Sequence, residues 1–161
     1  MMAKQALGQF FGNKRLYFVC GKVYQEGHFA NRIVNWFNDR QLPVVPVSPK
    51  GGSMEVYSAT SGTKKLEIAT DIPNYLKNIN AEDLDGISVN FVTPPPVSIS
   101  IQTQLRNAKI PVKSVWFQPG SWNQDCLKFA VEELGISPER VITDCVLVNG
   151  DAHYVKNTLK L

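Results

Sequence analysis

The chain has 161 residues, of which 43% are hydrophobic and 19% charged, and its formal net charge is +3. This length and composition are typical of one globular domain with a self-sufficient core, and the scattered basic residues argue against a nucleic-acid partner. No apolar run approaches the roughly 20 residues that span a bilayer, so we expect no membrane segment. Residues 1–9 lack the hydrophobic stretch of a signal peptide, which predicts an intracellular, cytoplasmic protein.

Five β-prone runs separated by helix-like stretches organise the chain. After an N-terminal extension over residues 1–14, the predicted strands cover residues 16–20, 43–47, 86–92, 112–117 and 141–148. Apolar residues at helical spacing follow the first, third and fourth strands. A polar tail is predicted over residues 150–161. This alternation indicates an α/β fold: one domain over residues 1–161 with a doubly wound, parallel five-stranded sheet and helices on both faces.

The connection between the second and third strands has a less regular pattern. Residues 52–70 contain turn formers and two short mixed segments without a firm period. We interpret them as a long, partly ordered loop with room for a small hairpin. Asp71 then stands at a capping position, and Pro73 in the first turn, of a short predicted helix.

Cysteines and histidines give no sign of a disulfide framework or a metal centre. Cys20, Cys126 and Cys145 are odd in number and far apart, and no Cys-x-x-Cys pair occurs. His28 and His153 stand at no ligand spacing from each other or from a cysteine. We therefore expect no bound metal.

Loops that follow the predicted strands bring polar and flexible residues to one edge of the sheet. Ligands bind at this edge in open α/β sheets because helix amino termini present unpaired N–H groups there. Gly21 would let the backbone approach a pyrophosphate, and Lys22 or Lys50 would supply the counter-charge. The residues assigned to this edge are Gly21, Lys22, Ser48, Pro49, Lys50, Thr93, Pro94, Pro95, Gln118, Pro119 and Gly120.

Two glycine-rich phosphate patterns are absent from these loops. Neither Gly-x-Gly-x-x-Gly nor Gly-x-x-x-x-Gly-Lys-Ser/Thr occurs, which removes the common dinucleotide fingerprint and the nucleoside triphosphatase loop. No acidic residue ends the second strand to hold ribose hydroxyls, as nicotinamide dinucleotide sites require. The residues alone therefore indicate a nucleotide-like site and leave its ligand open.

The segment over residues 114–125 carries the most information about the site. Its apolar run, residues 115–117, predicts a buried strand that residues 118–120 end abruptly, and Ser121 or Asn123 can cap the following helix. The chain therefore turns from strand to helix at the edge where ligands bind.

Taken in order, four segments resemble a known family. They are Pro46-Val47-Ser48-Pro49, Val92-Thr93-Pro94-Pro95, Val115-Trp116-Phe117-Gln118-Pro119-Gly120 and Asp144-Cys145-Val146. They are similar to motifs of the small stand-alone CoA-binding domain proteins, which look like the N-terminal domain of the succinyl-CoA synthetase α subunit. The resemblance covers about residues 16–148. It implies a Rossmann-like sheet of strand order 3-2-1-4-5 that binds CoA, or its adenine nucleotide part, at the carboxyl edge.

The resemblance also implies a role for each loop. Gly21 and Lys22 would approach the phosphates. Ser48 and Lys50, which flank Pro49, would approach the ribose or a phosphate. The loop that would approach the adenosine contains Thr93, Pro94 and Pro95. The floor near the pantetheine would be formed by Gln118, Pro119 and Gly120.

The chain departs from the family pattern in three places. Ser48 stands in the second loop where Asn is usual, a small change because both side chains form hydrogen bonds. Val23 stands where the family has a hydroxyl in the first loop, so one phosphate contact is not expected. Residues 52–70 are longer than the usual connection, with room for a cover over the site or a surface for a partner.

We expect a small-molecule nucleotide ligand, CoA, and no catalysis. The phosphohistidine of the synthetase belongs to a domain that this chain does not contain, and Cys145 is predicted as a buried thiol inside the fifth strand, with a covalent or redox role as a secondary hypothesis. Two alternatives stay open: an NAD(P)-dependent oxidoreductase, and a protein-interaction module that has lost the ligand. A protein partner or a homodimer is compatible with all three.

Overall fold

The structure is a computed structural model that describes residues 10–158, of which the last four by their backbone alone. Residues 1–9 of the predicted extension and residues 159–161 of the predicted tail lie outside the described residues. The strands are β1 Arg15–Gly21, β2 Val44–Val47, β3 Ser53–Ser58, β4 Gly62–Glu67, β5 Gly86–Val92, β6 Val112–Phe117 and β7 Val141–Thr143. The helices are α1 Phe29–Asp39, α2 Ile72–Lys77, α3 Pro95–Asn107, α4 Gln124–Glu132 and α5 Val146–Thr158, and a 3₁₀ turn covers Pro138–Arg140.

Five of the strands form one parallel sheet in the order β2-β1-β5-β6-β7. Helices pack on both of its faces, so the predicted α/β, Rossmann-like, doubly wound architecture is confirmed. The central strands β1 and β5 are paired from Arg15 opposite Gly86 to Gly21 opposite Val92. Their carboxyl ends therefore lie side by side at one edge, where the direction of winding reverses.

The order of the strands differs from the expected 3-2-1-4-5. Counted along the chain, the five strands of the sheet lie in the order 2-1-3-4-5, because the third of them, β5, pairs with β1. The position outside β2 holds only an isolated bridge between Val47 and Ala69. The physical reason is that β5 is buried on both faces, which suits a central position better than the edge position that the order 3-2-1-4-5 would give it. The residues between β2 and β5 pair with each other, β3 with β4, in a separate antiparallel hairpin.

The strands β3 and β4 form an antiparallel hairpin within residues 52–70, where the sequence analysis allowed a small hairpin. Met54 and Val56 alternate with exposed residues along β3 and are buried in the same apolar cluster as the inner face of α1. The alternation explains the ambiguous pattern, because only one face of each strand is covered. The hairpin therefore covers α1 and leaves the carboxyl edge of the sheet open.

Alternating side chains of the sheet form two apolar clusters, one on each face. In β1, Phe18 and Cys20 belong to the cluster under α2, α3 and α4, whereas Tyr17 and Val19 belong to the cluster under α1 and α5. Phe10 and Phe11, at the end of the predicted extension, are buried in the second cluster. This segment thus contributes to the core.

The fifth predicted strand is wrong in its second half. β7 ends at Thr143, and residues from Val146 to Thr158 form α5, which includes most of the predicted polar tail. Asp144 explains the change, since its Oδ1 accepts hydrogen bonds from the Cys145 N–H at 2.8 Å and from Asn149 Nδ2 at 2.6 Å. A carboxylate that holds the first turn in this way favours a helix over a continued strand.

Candidate functional site

Two cavities lie at the carboxyl edge of the sheet. The first, called the main cavity, has a volume of about 600 Å³ and lies between the loops after β1, β2 and β5, the start of α2, and α3. The second, called the side cavity, has a volume of about 110 Å³ and is lined by Phe29, Val92, Gln118, Pro119 and Cys145. Because Val92 lines both, the two cavities are neighbours across the end of β5.

Most of the residues assigned to this edge from the sequence line one of the two cavities. Gln118 and Pro119 line the side cavity, and Pro95 and Gly120 line neither. The residues of the set that line the main cavity are Gly21, Lys22, Ser48, Pro49, Lys50, Thr93 and Pro94. The three proline- and glycine-containing loops after β1, β2 and β5 therefore converge on one space.

Gly21 stands where the backbone is most crowded. Its φ is +153°, and a Cβ at this position would lie 2.7 Å from the carbonyl oxygen of Val92 and 3.1 Å from the Cβ of Ala30. Glycine is the residue that fits such a close approach of two strands and a helix. The chain can therefore pass from β1 across the edge of the sheet towards α1.

The amino terminus of α1 adds an anion-binding element. His28 caps the helix, and its Nδ1 accepts the N–H of Ala30 at 3.1 Å. An imidazole nitrogen that accepts is unprotonated, so the proton of the neutral ring resides on Nε2. His28 and Lys22 both line the main cavity, which gives this end of it two side-chain donors beside the positive end of the helix dipole.

The loop after β2 forms the opposite wall. Ser48 is buried, and its N–H donates to the carbonyl oxygen of Ala69 at 2.9 Å, while its Oγ accepts the N–H of Lys50 at 3.3 Å. The Lys50 ammonium lies 4.5 Å from the centre of the Tyr24 ring, which belongs to the loop after β1. This cation–π contact joins the two loops across the mouth of the main cavity.

Thr93 presents an acceptor to the main cavity. Its Oγ1 lies 2.7 Å from the Oγ of Ser98, and Ser98 Oγ in turn donates to the carbonyl oxygen of Ser121 at 2.7 Å. A hydroxyl has one proton, so Thr93 is the donor to Ser98. The lone pairs of Thr93 Oγ1 are then available to a ligand N–H or O–H group.

The start of α3 differs from the start of α1. Pro94 is its N-cap and Pro95 its first residue, and Pro96 follows, so three successive positions have no N–H group. Val97 and Ile101 of the same helix line the main cavity. Ser100 and Gln104 of α3 also line the cavity, so this wall combines apolar and neutral polar side chains. An anion is favoured at α1 alone of these two helix ends.

Trp116 and Gln118 fix the turn from β7 into α5. Trp116 is fully buried, and its Nε1 donates to the carbonyl oxygen of Asp144 at 2.6 Å. Gln118 accepts the N–H of Val146 with its Oε1 at 3.0 Å. Within residues 114–125, Trp116 therefore packs in the second core cluster and Gln118 lines the side cavity. Asn123, one of the two predicted caps, caps α4.

The cysteines differ in their surroundings. Burial raises the pKa of the Cys20 thiol from its ordinary value of 9.0 to about 12, and burial also raises the pKa of Cys126. Cys145 was predicted as a buried thiol within a strand, and this was wrong: it is partly exposed, precedes α5 directly and lines the side cavity. The end of β7 at Thr143 brings it to the surface.

Several residues of the main cavity were not assigned to the site from the sequence. Their positions depend on the bridge beside β2, which brings the start of α2 to the edge, and on the face of α3. They are Tyr24, His28, Thr70, Asp71, Ile72, Val97, Ser100, Ile101 and Gln104. Val23, by contrast, is fully buried in the second core cluster, so its side chain serves packing.

Other kinds of site find no support in the described part of the chain. Over residues 10–158 no group of three or more His, Cys, Asp or Glu side chains is arranged to hold a metal ion. Within the same residues no helix has the length and apolar character that a membrane crossing needs.

The parallel sheet, the crowded glycine after β1 and the cavity at the reversal of winding define a Rossmann-like domain with a candidate ligand site at its carboxyl edge. A family model described as "CoA binding domain" matches residues 15–151. The chain belongs to this family. No curated protein matches the chain closely enough to count as a relative.

Solved structures share the fold at low sequence identity. A protein titled cell-free ID.343 from Thermus thermophilus is 17% identical, with a TM-score of 0.62 over 94% of this chain and 96% of its own. A conserved hypothetical protein from Pyrococcus furiosus is 21% identical, with a TM-score of 0.58 over 84% and 98%. A hypothetical protein from Pyrococcus horikoshii is 19% identical, with a TM-score of 0.61 over 94% and 89%. These likenesses support the fold.

Proposed function

We propose that the main cavity binds CoA and that the chain catalyses no reaction on it. The observation that carries the proposal is the convergence of Gly21, Lys22 and His28 at the start of α1 with Lys50 on the opposite wall of one cavity. Membership in the CoA binding domain family supports the ligand class. A phosphate-rich ligand suits a space with two lysines and a helix amino terminus.

The walls suit the parts of CoA in a definite arrangement. The pyrophosphate lies beside Gly21 and the first turn of α1, and the phosphorylated ribose lies beside Ser48 and Lys50. The adenine packs on the apolar face of α3 at Val97, where the lone pair of Thr93 accepts from its amino group. The pantetheine arm leaves past the end of β5.

The loop after β2 favours CoA over a nicotinamide dinucleotide. An acid at this position would hold the ribose hydroxyls of NAD, whereas here the loop carries Lys50, a cation suited to a phosphate on the ribose. The acid that does line the cavity, Asp71, accepts the N–H of Asn74 with Oδ1 and Asn74 Nδ2 with Oδ2, each at 2.8 Å. Its carboxylate is therefore engaged in capping α2.

The absence of catalysis is supported by the state of the reactive groups in the main cavity. Cys20 carries a thiol whose pKa is raised to about 12, and the Nδ1 of His28 is committed to the helix cap. No nucleophile in the described lining stands in hydrogen-bond contact with a base.

Thermal melting with CoA, acetyl-CoA, NADP or buffer alone tests the proposal. A ligand at 100 times its dissociation constant adds about 2.7 kcal/mol of stability, which shifts the Tm by several degrees. We expect CoA and acetyl-CoA to stabilise the protein and NADP to have a smaller effect. Stabilisation by NADP alone would instead support an oxidoreductase, and no effect of any ligand would support an interaction module.

Variants of Lys50 distinguish a specific contact with CoA from a general effect of the protein's positive charge. Lys50→Ala removes the cation at the ribose wall, so we expect about tenfold weaker CoA binding by calorimetry, and Lys50→Arg should restore most of the affinity. Lys64→Ala, on the exposed strand β4, is the matched control and should leave the affinity unchanged. Equal affinities of Lys50→Ala and the unmodified protein would remove this residue from the site.

A further inference from the structure

The side cavity has a different chemistry from the main cavity. Phe29, Val92 and Pro119 give it apolar walls, and its lining contains no cationic side chain. Its volume of about 110 Å³ is far too small for a nucleotide, and phosphate would be desolvated there without a counter-charge. It suits a slender, uncharged group that continues from a ligand in the main cavity across Val92.

Gln118 offers this cavity an unused donor. The side chain is 4% exposed, and its Oε1 accepts the N–H of Val146, which fixes the orientation of the amide. Its Nε2 has no acceptor among the described residues. Its N–H groups are therefore free to donate to a carbonyl oxygen of a ligand in the side cavity, which Gln118 lines.

Cys145 is the second polar group of the side cavity. It is partly exposed, whereas Cys20 and Cys126 are buried. The N–H of Cys145 donates to Asp144 Oδ1. The carbonyl oxygen of Cys145 accepts the N–H of Asn149 at 2.8 Å. The position of the thiol beside the donor of Gln118 is therefore set by the first turn of α5.

We propose that the side cavity receives the sulfur end of the pantetheine arm and that Cys145 exchanges with a disulfide of CoA; this rests on the proposed function. Gln118 Nε2 donates to an amide carbonyl oxygen of the arm, which places the sulfur atoms beside Cys145. The Cys145 thiolate attacks the CoA-bearing sulfur of the disulfide. A Cys145–S–S–CoA bond forms, the original S–S bond breaks, and the other sulfur leaves as a thiolate that takes a proton from water.

The exchange needs no added oxidant, because one disulfide replaces another. A free thiol, CoA in the case of CoA disulfide, is released for each protein molecule modified. Reduction by a second thiol reverses the step and returns Cys145 to its free form.

Mass spectrometry of the protein after incubation with CoA disulfide tests the exchange. We expect one CoA added per chain, mapped to Cys145, at a rate at least tenfold above that of glutathione disulfide at the same concentration. Cys145→Ser should abolish the adduct but still bind reduced CoA, and Cys126→Ser, at a position that lines neither cavity, should retain the adduct. Equal rates with the two disulfides, or an adduct mapped to Cys20 or Cys126, would overturn the proposal.

Gln118→Glu tests the hydrogen bond from Gln118 Nε2 to the pantetheine arm. A carboxylate can still accept the N–H of Val146, but it has no N–H group to donate to the arm. We expect it to weaken CoA binding and to slow the exchange at least fivefold, with no change in the affinity for adenosine 3′,5′-bisphosphate, which lacks the arm. Unchanged CoA binding would overturn the role of Gln118. If CoA and the bisphosphate both fail to bind the unmodified protein, the proposed function fails; if both bind but no exchange occurs, only the present inference fails.

Discussion

Gly21 is the residue at which the two central strands and α1 come closest. Gly21→Ala places a Cβ 2.7 Å from the Val92 carbonyl oxygen, a backbone atom that cannot move aside cheaply. We expect a loss of about 2 kcal/mol or more in the free energy of unfolding, measured by urea titration, together with loss of CoA binding. Gly120→Ala is the control, since φ is +88° there but no atom lies within 4 Å, and its cost should be smaller.

Asn90 is a polar residue inside the core with no evident use. It is fully buried in β5, and neither its Oδ1 nor its Nδ2 has a hydrogen-bond partner among the described residues. Asn90→Leu removes two unpaired polar atoms at little change of shape, so we expect the Tm to stay equal or to rise.

Ser88, two residues earlier on the same face of β5, provides the contrast. Its Oγ donates to the Phe10 carbonyl oxygen at 2.7 Å and accepts from Arg15 at 2.9 Å. Ser88→Ala should therefore lower the free energy of unfolding by about 1–3 kcal/mol. A large loss of stability in Asn90→Leu as well would show that Asn90 has a partner, such as a buried water.

At the scale of elements, two helix caps allow stability and binding to be separated. Asp71 caps α2 and Asn123 caps α4, each through a side-chain oxygen that accepts an N–H of the first turn. Asp71→Ala and Asn123→Ala should each cost about 1 kcal/mol in thermal or urea unfolding.

Only one of these caps lies at the proposed site. The start of α2 lines the main cavity and that of α4 does not, so Asp71→Ala alone should weaken CoA binding in calorimetry. If Asn123→Ala weakens binding to the same degree, the effect reflects general loosening of the fold, and α2 has no special place in the site.

Elements were predictable from the sequence where one physical signal dominated. The strands at residues 86–92 and 112–117 were located correctly because both are rich in β-branched and aromatic residues. The cap at Asp71 was correct because Asp and Pro act within one turn. The run over residues 141–148 was misassigned because its β-branched residues favour a strand and periodicity alone cannot separate a short apolar strand from a helix turn. Asp144 decided the outcome through side-chain hydrogen bonds that no periodicity reveals.

The site was predictable to the level of loops. Strand ends are visible in the sequence, so the convergence of Gly21, Ser48 and Thr93 followed from the parallel sheet alone. Residues from α2 and α3 were missed because their position depends on the Val47–Ala69 bridge and on helix orientation. The strand order was wrong for a related reason: whether β5 pairs with β1 or with β2 is a competition between partners that composition does not decide.

For the whole molecule, the raised thiol pKa values predict a loss of stability in alkali. Burial raises the pKa of the Cys20 thiol to about 12 in the folded protein, whereas its ordinary value is 9.0. The protonated thiol therefore makes its full contribution to the free energy of unfolding below pH 9. This contribution is lost as the pH rises from 9 towards 12, and Cys126 and Tyr17, also raised by burial, act in the same direction.

Cys20→Val keeps an apolar side chain in place of the thiol. We expect its free energy of unfolding to fall less steeply between pH 9 and pH 12 than that of the unmodified protein, with a constant difference between the two below pH 8. Urea titrations at a series of pH values measure both slopes. Parallel curves over the whole range would show that Cys20 does not control the alkaline transition.

The outer strand β2 has a consequence for how copies of this chain meet. Pro46 gives β2 one position without an N–H group, and its carbonyl oxygen is occupied by the N–H of Ala69 at 2.9 Å. The opposite edge, β7, is three residues long. Both rims of the described parallel sheet are therefore poor templates for a further strand, which reduces the tendency of this sheet to grow by edge-to-edge pairing at high concentration.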